Sequence, residues 1–361
     1  MLLFSLPILV SAQEVDSLDS DTTSEFKRFA IYPALGYSPE TEFTFGTIAF
    51  IVFEDKKKDD NYHRPSSLTP LFLYTTKKQM LIKSELDIFL LNGDNLNVDA
   101  RYFNFPDVYY GIGNDTDADV SELFTDQFFK IDGRFYRPIT SKLFVGFNYD
   151  VQFNNIKDII PGGLLASDAP NGINGGWNVG VGAGLQYDSR NSTLYPTKGK
   201  QFIANAITYK PFLGGDYNYT KYVLDYRQYF EFLGPKNIVA FQFSANMTGG
   251  GDIPFYKLNA IAGDSRLRGI QHRNLYKDNN AMFFQVEGRQ HIFWRFGGVL
   301  FAGVGQAFES FSSMTSEDFR FVYGLGGRFQ AMRDQKLNLR MDVGFSDQGQ
   351  YAFYLSVREA F

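Results

Sequence analysis

Arg266 and Arg268 stand one residue apart in the run AGDSRLRGI, residues 262–270. In an extended segment, residues two apart point the same way, so both guanidiniums can face one side. Gly269 then permits a sharp turn. A guanidinium kept from water needs a carboxylate, ideally in a two-pronged fork. Two carboxylates stand in suitably alternating runs. Phe283, Gln285, Glu287 and Arg289 share one face of a run whose other face carries Phe284, Val286 and Gly288. Asp342 lies on the polar face of Leu337, Asn338, Leu339, Arg340, Met341, Asp342, Val343. The chemistry on offer is a buried ion pair, with Glu287 as the first acceptor for Arg268 and Asp342 as a second.

Groups that could support turnover are scarce. The chain has no Cys, which excludes disulfides, thiolate nucleophiles and zinc–cysteine sites. Its three histidines are His63, His272 and His291, and none sits in a G-x-S-x-G setting. His272 could pair with a carboxylate, and His291 reads as a lumen or interface residue. GGLL at 162–165 and GLGG at 324–327 lack the Lys-Ser/Thr that completes a phosphate loop. Asp115, Asp117 and Asp119 could ligate calcium if their segment folds around it, but a solvated loop is the ordinary reading of such a stretch. The Asn-x-Ser/Thr triplets at Asn114, Asn191, Asn218 and Asn246 read as turns and lumen positions. A formal charge of -5 offers no basic excess to nucleic acid. The reading is a chain without catalytic residues, cofactor or metal.

The elements that must position these groups are strands. Phe and Tyr number 38 and 22 against 2 Trp, and there are 34 Gly. Aromatics favour strands, and Gly favours hairpin turns. Mean hydropathy is slightly negative, and no apolar run is long enough for a helical membrane span. A hydrophilic average with heavy aromatic content suits a barrel in which every second residue meets lipid. Alternation is clean in Val145, Phe147, Tyr149, Val151 and Phe153 against Gly146, Asn148, Asp150, Gln152 and Asn154. It recurs from Trp177 to Asp188 and from Leu337 to Ser346. A soluble β-sandwich also alternates, but its strands are usually about 5–6 residues long. Here the runs are long enough to cross a hydrocarbon layer at a tilt.

Sixteen runs can be counted: 29–37, 42–55, 66–77, 80–91, 94–105, 121–137, 141–155, 175–189, 199–210, 216–232, 236–249, 280–293, 295–309, 318–331, 334–346 and 349–361. The fold expected is all-β: a 16-stranded antiparallel transmembrane barrel. An even count lets the first and last strands pair antiparallel, leaving no open edge in lipid. Both termini then fall on the periplasmic side of a bacterial outer membrane. Long connections at 107–120, 156–174 and 250–279 contrast with short turns near 233–235 and Asp334, as outer loops and periplasmic turns do. The brief link after the first run (Ser38 to Thr41) and the long charged segment 54–65 are exceptions. Residues 1–12, MLLFSLPILVSA, read as a signal peptide without a basic start, and 13–28 as a flexible periplasmic lead-in. The barrel is expected over 29–361.

The chain ends QYAFYLSVREAF. Tyr351, Phe353, Leu355, Val357 and Phe361 fall on one face, interrupted by Glu359 near the membrane boundary, with Ser356 and Arg358 toward the lumen. A terminal Phe on an alternating strand resembles the signal that delivers barrels to their assembly machinery, which can capture an edge strand by strand addition.

The run AGDSRLRGI resembles the loop motif of the BamA/TamA superfamily of outer-membrane proteins, also called the bacterial surface antigen family. Arg268 and Gly269 match its Arg-Gly-aromatic tip, with Ile270 in the aromatic position. GYSPETEFTFG (36–46), PDVYYGIGN (106–114), YDSRNSTLYPTKGK (187–200), NLRMDVGFS and Phe361 are similar to other family stretches, in the family's order, over about 29–361. The resemblance implies that the loop at about 250–279 folds into the lumen. It departs near Gly303, where the family often has an aspartate, which leaves Glu287 and Asp342 to hold Arg268. It departs also before the barrel, where residues 13–28 leave no room for the family's periplasmic POTRA repeats.

The function so implied is non-enzymatic: insertion or transport of proteins or lipids at the outer membrane. A passive or gated pore for small solutes, or an inert surface antigen or anchor, are the other readings. Expected partners are outer-membrane lipid and lipopolysaccharide, the assembly machinery during biogenesis and a periplasmic protein.

Overall fold

The computed structural model describes residues 26–38, 42–53, 66–90, 92–193, 195–332 and 337–361. The signal peptide, nearly all of the lead-in, His63 and the connections at 39–41, 54–65 and around Asp334 lie outside the described residues.

The strands follow one another as β1 (Phe26–Ser38), β2 (Glu42–Phe53), β3 (Ser66–Thr75), β4 (Met80–Phe89), β5 (Asn95–Tyr109) and β6 (Glu122–Pro138). Next come β7 (Leu143–Lys157), the short helix α1 (Leu164–Asp168), β8 (Gly176–Asp188), β9 (Gly199–Tyr209), β10 (Tyr219–Glu231) and β11 (Asn237–Gly249). The last five are β12 (Asn280–Phe293), β13 (Phe296–Phe308), β14 (Arg320–Met332), β15 (Leu337–Ser346) and β16 (Tyr351–Val357). All sixteen form one antiparallel sheet in sequence order, with β1 and β16 at the ends of the series. The first strand begins at Phe26, three residues before the expected 29, so the lead-in overlaps the sheet. None of the described helices is long and apolar enough to cross a membrane; a β-barrel crosses with strands.

Alternation gives the sheet its two sides. On β7, Asn148, Asp150, Gln152 and Asn154 are buried while Phe147 and Phe153 are exposed. The outer side shows large apolar groups to its surroundings, among them Leu300 at 68% and Tyr323 at 61% exposure. In water such a surface would demand association; in lipid it is solvated.

The inside is filled in large part by residues 250–279. They hold a 3-10 turn, Phe255–Lys257, and a two-residue hairpin, Asn259–Ala260 with Lys277–Asp278. Ile261, Leu267, Ile270, Leu275 and Tyr276 pack on wall residues Phe283 and Val322. Phe255 packs on Tyr109, Phe124, Ile156 and Leu165. Ion pairs add anchors: Lys257 Nζ lies 3.1 Å from Asp150 Oδ2, and Arg273 Nη2 lies 2.8 Å from Asp107 Oδ2. At the rim away from the termini, the 110–121 segment is tied to this loop. Gly113 N donates to Lys277 O at 2.8 Å, and Thr116 Oγ1 donates to Leu275 O. Asn114 accepts from Ala307 N at 3.1 Å and donates to Asp318 O.

The C-terminus departs from the alternation expected of it. The ladder ends at Val357, and Arg358 takes a φ of 74°, which turns the chain. Phe361 is buried with Ala360 against Tyr229 and Ala240, and does not continue the outward row of Tyr351, Phe353 and Leu355. Glu359 points inside, where Arg328 and Asn338 meet its carboxylate at 2.7 Å each. Arg358, expected toward the lumen, is exposed. The charge explains the inversion: Glu359 gains two partners inside and would have none in lipid.

Candidate functional site

The loop tip is assembled from the inside of four wall strands. Arg268 is fully buried. Its Nη2 donates to Glu287 Oε2 of β12 at 2.5 Å, and its Nη1 donates to Asp342 Oδ2 of β15 at 2.6 Å. The guanidinium carbon lies 3.7 Å from the centre of the Phe301 ring on β13. A cation over a desolvated ring is attracted by the ring quadrupole, so this arginine is held by two charges and one π face. Phe301 was missed in the sequence because an aromatic on a barrel strand reads first as lipid-facing; only its parity against Leu300 distinguishes it.

Neighbouring guanidiniums keep the carboxylates from being shared by Arg268 alone. Arg289 Nε reaches Glu287 Oε1 at 2.7 Å. Arg328 donates to Asp342 Oδ1 through Nη1 and to Glu359 Oε2 through Nε. Arg340 Nη2 reaches back to Asp264 in the loop at 3.2 Å. Four buried arginines (268, 289, 328, 340) thus meet four carboxylates (264, 287, 342, 359). Mutual neutralisation is what makes the burial of so many charges tolerable.

Backbone fit brings the tip close. Gly269 has a φ of +136°, and a Cβ there would lie 2.6 Å from Phe345 O. A Cβ on Gly344 would strike the Arg268 carbonyl oxygen. Two glycines therefore let loop and β15 touch main chain to main chain. Tyr354 of β16 accepts from Gly269 N at 3.4 Å and donates to Ile270 O at 3.3 Å. Gln350 Oε1 accepts from Gln271 N at 3.2 Å. Ile270 is buried in the apolar cluster of the loop.

Arg266 goes elsewhere. Its Nη1 donates to Ala260 O at 2.5 Å, inside the loop. Burial, the larger effect, pulls it below the usual arginine range, with Asp264 opposing. His272 Nε2 lies 3.9 Å from Asp107, and burial pushes its imidazole down to about 4 despite that carboxylate. His291 Nε2 lies 3.2 Å from Trp294 O at a turn. Tyr351, Phe353 and Leu355 are exposed on the outer face of β16, and Val357 ends that strand. Among the described residues, no group of three or more His, Asp or Glu could hold a metal ion, Asp115, Asp117 and Asp119 included. The arrangement can bind and brace; it offers no nucleophile beside a base.

Residues 74–357 match the Omp85 superfamily domain. The solved structures that share the fold include two at low identity. One is BamA from Haemophilus ducreyi lacking POTRA domains 1-3, at 13% identity and a TM-score of 0.60, covering 99% of this chain and 75% of that one. The other is CdiB from Acinetobacter baumannii, at 11% identity and a TM-score of 0.56, covering 91% of this chain and 59% of that one. Identities this low speak to fold alone. No curated protein sequence matches the chain.

Proposed function

The chain belongs to the Omp85 superfamily, and on that premise we propose that it inserts or translocates proteins or lipids at the outer membrane without bond chemistry. On this reading both termini face the periplasm. Outer-leaflet lipopolysaccharide and membrane lipid surround the barrel, and the assembly machinery handles it during biogenesis.

One observation carries the proposal. The loop tip grips β15 and β16 from within, through Asp342, Tyr354 and Gln350. The strand it grips is the shortest of the sixteen, with seven residues, and stands at one end of the sheet order. A short terminal ladder held by an internal brace can yield its edge without unravelling the wall. An incoming strand then gains main-chain hydrogen bonds from that edge, with alternate side chains supplying register. The test is reconstitution of the full chain in liposomes with a urea-unfolded outer-membrane barrel as client. Faster client folding is expected; no acceleration by a folded, heat-modifiable protein would reject the proposal.

A second reading is a solute pore. It is favoured by the partly exposed charges on the inner face of β4–β6, such as Lys83 and Asp132, whose side chains are 28% and 33% exposed. Single-channel conductance in planar bilayers tests it, and a silent bilayer would remove it.

A further inference from the structure

We propose that the inner wall of β1–β6 binds a zwitterionic glycerophospholipid, headgroup on β4–β6 and acyl chains across β1–β3. This deepens the reading above by naming a lipid as what the lumen takes, and rests on it for the membrane setting.

The inner wall changes character along the sheet. On β6 and β7 it is polar, as a wet lumen requires. On β1–β3 two adjoining inner rows are apolar, between Thr44 and Thr75 on one side and Ser67 and Thr69 on the other. Register places Tyr32, Ile48 and Leu71 in one inner row, and Ala34, Gly46, Leu73 and Leu81 in the next. The Tyr32 ring meets Phe50 edge to face, with centroids 6.0 Å apart. These side chains are neither fully buried nor polar. The outer face of the same strands is apolar too, with Phe29, Ile31, Phe43, Phe45, Phe72 and Tyr74 exposed. A strand greasy on both sides and partly open on both wants hydrocarbon on both. Among the described residues, the polar contacts of the internal loop include Asp107 of β5, Asp150 of β7, Lys221 of β10, Glu287, Asp342 and Tyr354.

Beside this strip lies a charged one. The Leu71 row continues as Lys83, Arg101 and Lys130, and the adjoining row holds Glu85, Asp99 and Asp132. Lys83 and Arg101 each lie 3.1 Å from Asp99, and Lys130 lies 2.7 Å from Asp132. The row below is acidic and the row above basic, about 7 Å apart along the strand. A headgroup carrying a phosphate and an ammonium complements such a wall: phosphate to the basic row, ammonium to the acidic row. A purely anionic headgroup would satisfy one row and offend the other. From the β4 row to β1 is three strand spacings, about 14 Å, within reach of an acyl chain. The apolar rows run to β1, which stands at one end of the sheet order. Hydrocarbon chains can therefore lie on β1–β3 while the headgroup stays in the lumen.

The absence of native cysteine makes the test clean. Leu71→Cys on the inner face is spin-labelled in vesicles of phosphatidylethanolamine and phosphatidylglycerol. Phe72→Cys on the outer face and Asp347→Cys in the last hairpin turn serve as lipid and water references. The Leu71→Cys label is expected to admit oxygen and exclude a nickel chelate, as Phe72→Cys does. Photoactivatable phosphatidylethanolamine is expected to cross-link at Leu71→Cys, in preference to the phosphatidylglycerol analogue. The yield should fall about tenfold in the added Lys83→Gln/Arg101→Gln background, the effect of losing one charge-assisted contact. Retained heat-modifiable gel mobility certifies each variant as folded. A label that reads water like Asp347→Cys overturns the proposal, as does equal labelling by the two lipids. A cross-link from Leu71→Cys to residues 13–25 of the chain itself would also overturn it. Client folding measured on the same variants separates the two claims: lipid capture without client acceleration leaves this inference standing and removes the insertase.

Discussion

At the scale of single residues, the structure ranks two arginines that look alike in sequence. Arg268 is enclosed by Glu287, Asp342 and Phe301, whereas Arg266 bonds one carbonyl of its own loop. Removing one partner of a buried charge group costs about 3–5 kcal/mol; here Glu287 and Asp342 each lose one guanidinium and keep Arg289 and Arg328 respectively, which places the cost toward the lower end. Arg268→Ala should therefore lower the temperature at which the folded gel band disappears far more than Arg266→Ala, whose loss is about 1 kcal/mol. Arg268→Lys should fall between, since an ammonium cannot span both carboxylates. Equal shifts for the two alanine variants would refute this ranking. His272 supplies a pH dependence. Its imidazole titrates near 6.5 unfolded and about 4 when buried in the loop, beside Asp107, Arg273 and Lys277. A depressed folded value means the neutral form is favoured. Its stabilising contribution is whole above pH 6.5 and lost as pH falls toward 4, about 3 kcal/mol at most. Thermal unfolding at pH 7 and pH 4.5 should differ less in His272→Asn than in the parent. The side toward which Glu287 and Asp342 point was legible from alternation alone, since both fall among polar neighbours two residues apart. Phe301 was legible only through its parity against Leu300, because packing under a cation leaves no other local signature.

At the scale of elements, strand positions were the most legible feature. Period-two runs between Gly- and Asn-rich breaks place β6, β7 and β12 within one or two residues of their observed ends. The last four residues were not legible. Alternation runs nominally on through Phe361, and only Glu359 sits out of phase; its partners Arg328 and Asn338 are remote in sequence. The inward turn makes Phe361 a packing residue as well as a chain end. Phe361→Ala should destabilise the barrel by about 3 kcal/mol, the usual cost of such a truncation, in detergent with no assembly machinery present. If yield falls only in cells while purified stability is unchanged, the residue serves recognition alone. Gly344 carries the other prediction at this scale. Gly344→Val should push the loop tip from β15, exposing Arg266 and Arg268 to trypsin while the barrel remains heat-modifiable.

At the scale of the molecule, the loop is at once plug and brace. If solutes can pass, Arg268→Ala should raise conductance by loosening the plug; an unchanged trace would assign the loop to bracing only. The two apolar inner rows of β1–β3 are not legible in the sequence, because alternation fades where both sides are apolar. The closeness of Arg268 to β15 and β16 has a consequence in time. The tip lies more than seventy residues upstream of Asp342 and more than eighty upstream of Tyr354. Its charges could hardly be threaded through a finished cylinder already capped by the 110–121 segment. The wall is instead expected to wrap about its own contents, with the final hairpin, which holds Asp342 and Tyr354, arriving last. A nascent molecule stalled before that arrival would carry its arginine without one of its two acids, so the completion of the chain is also the moment its interior becomes electrically quiet.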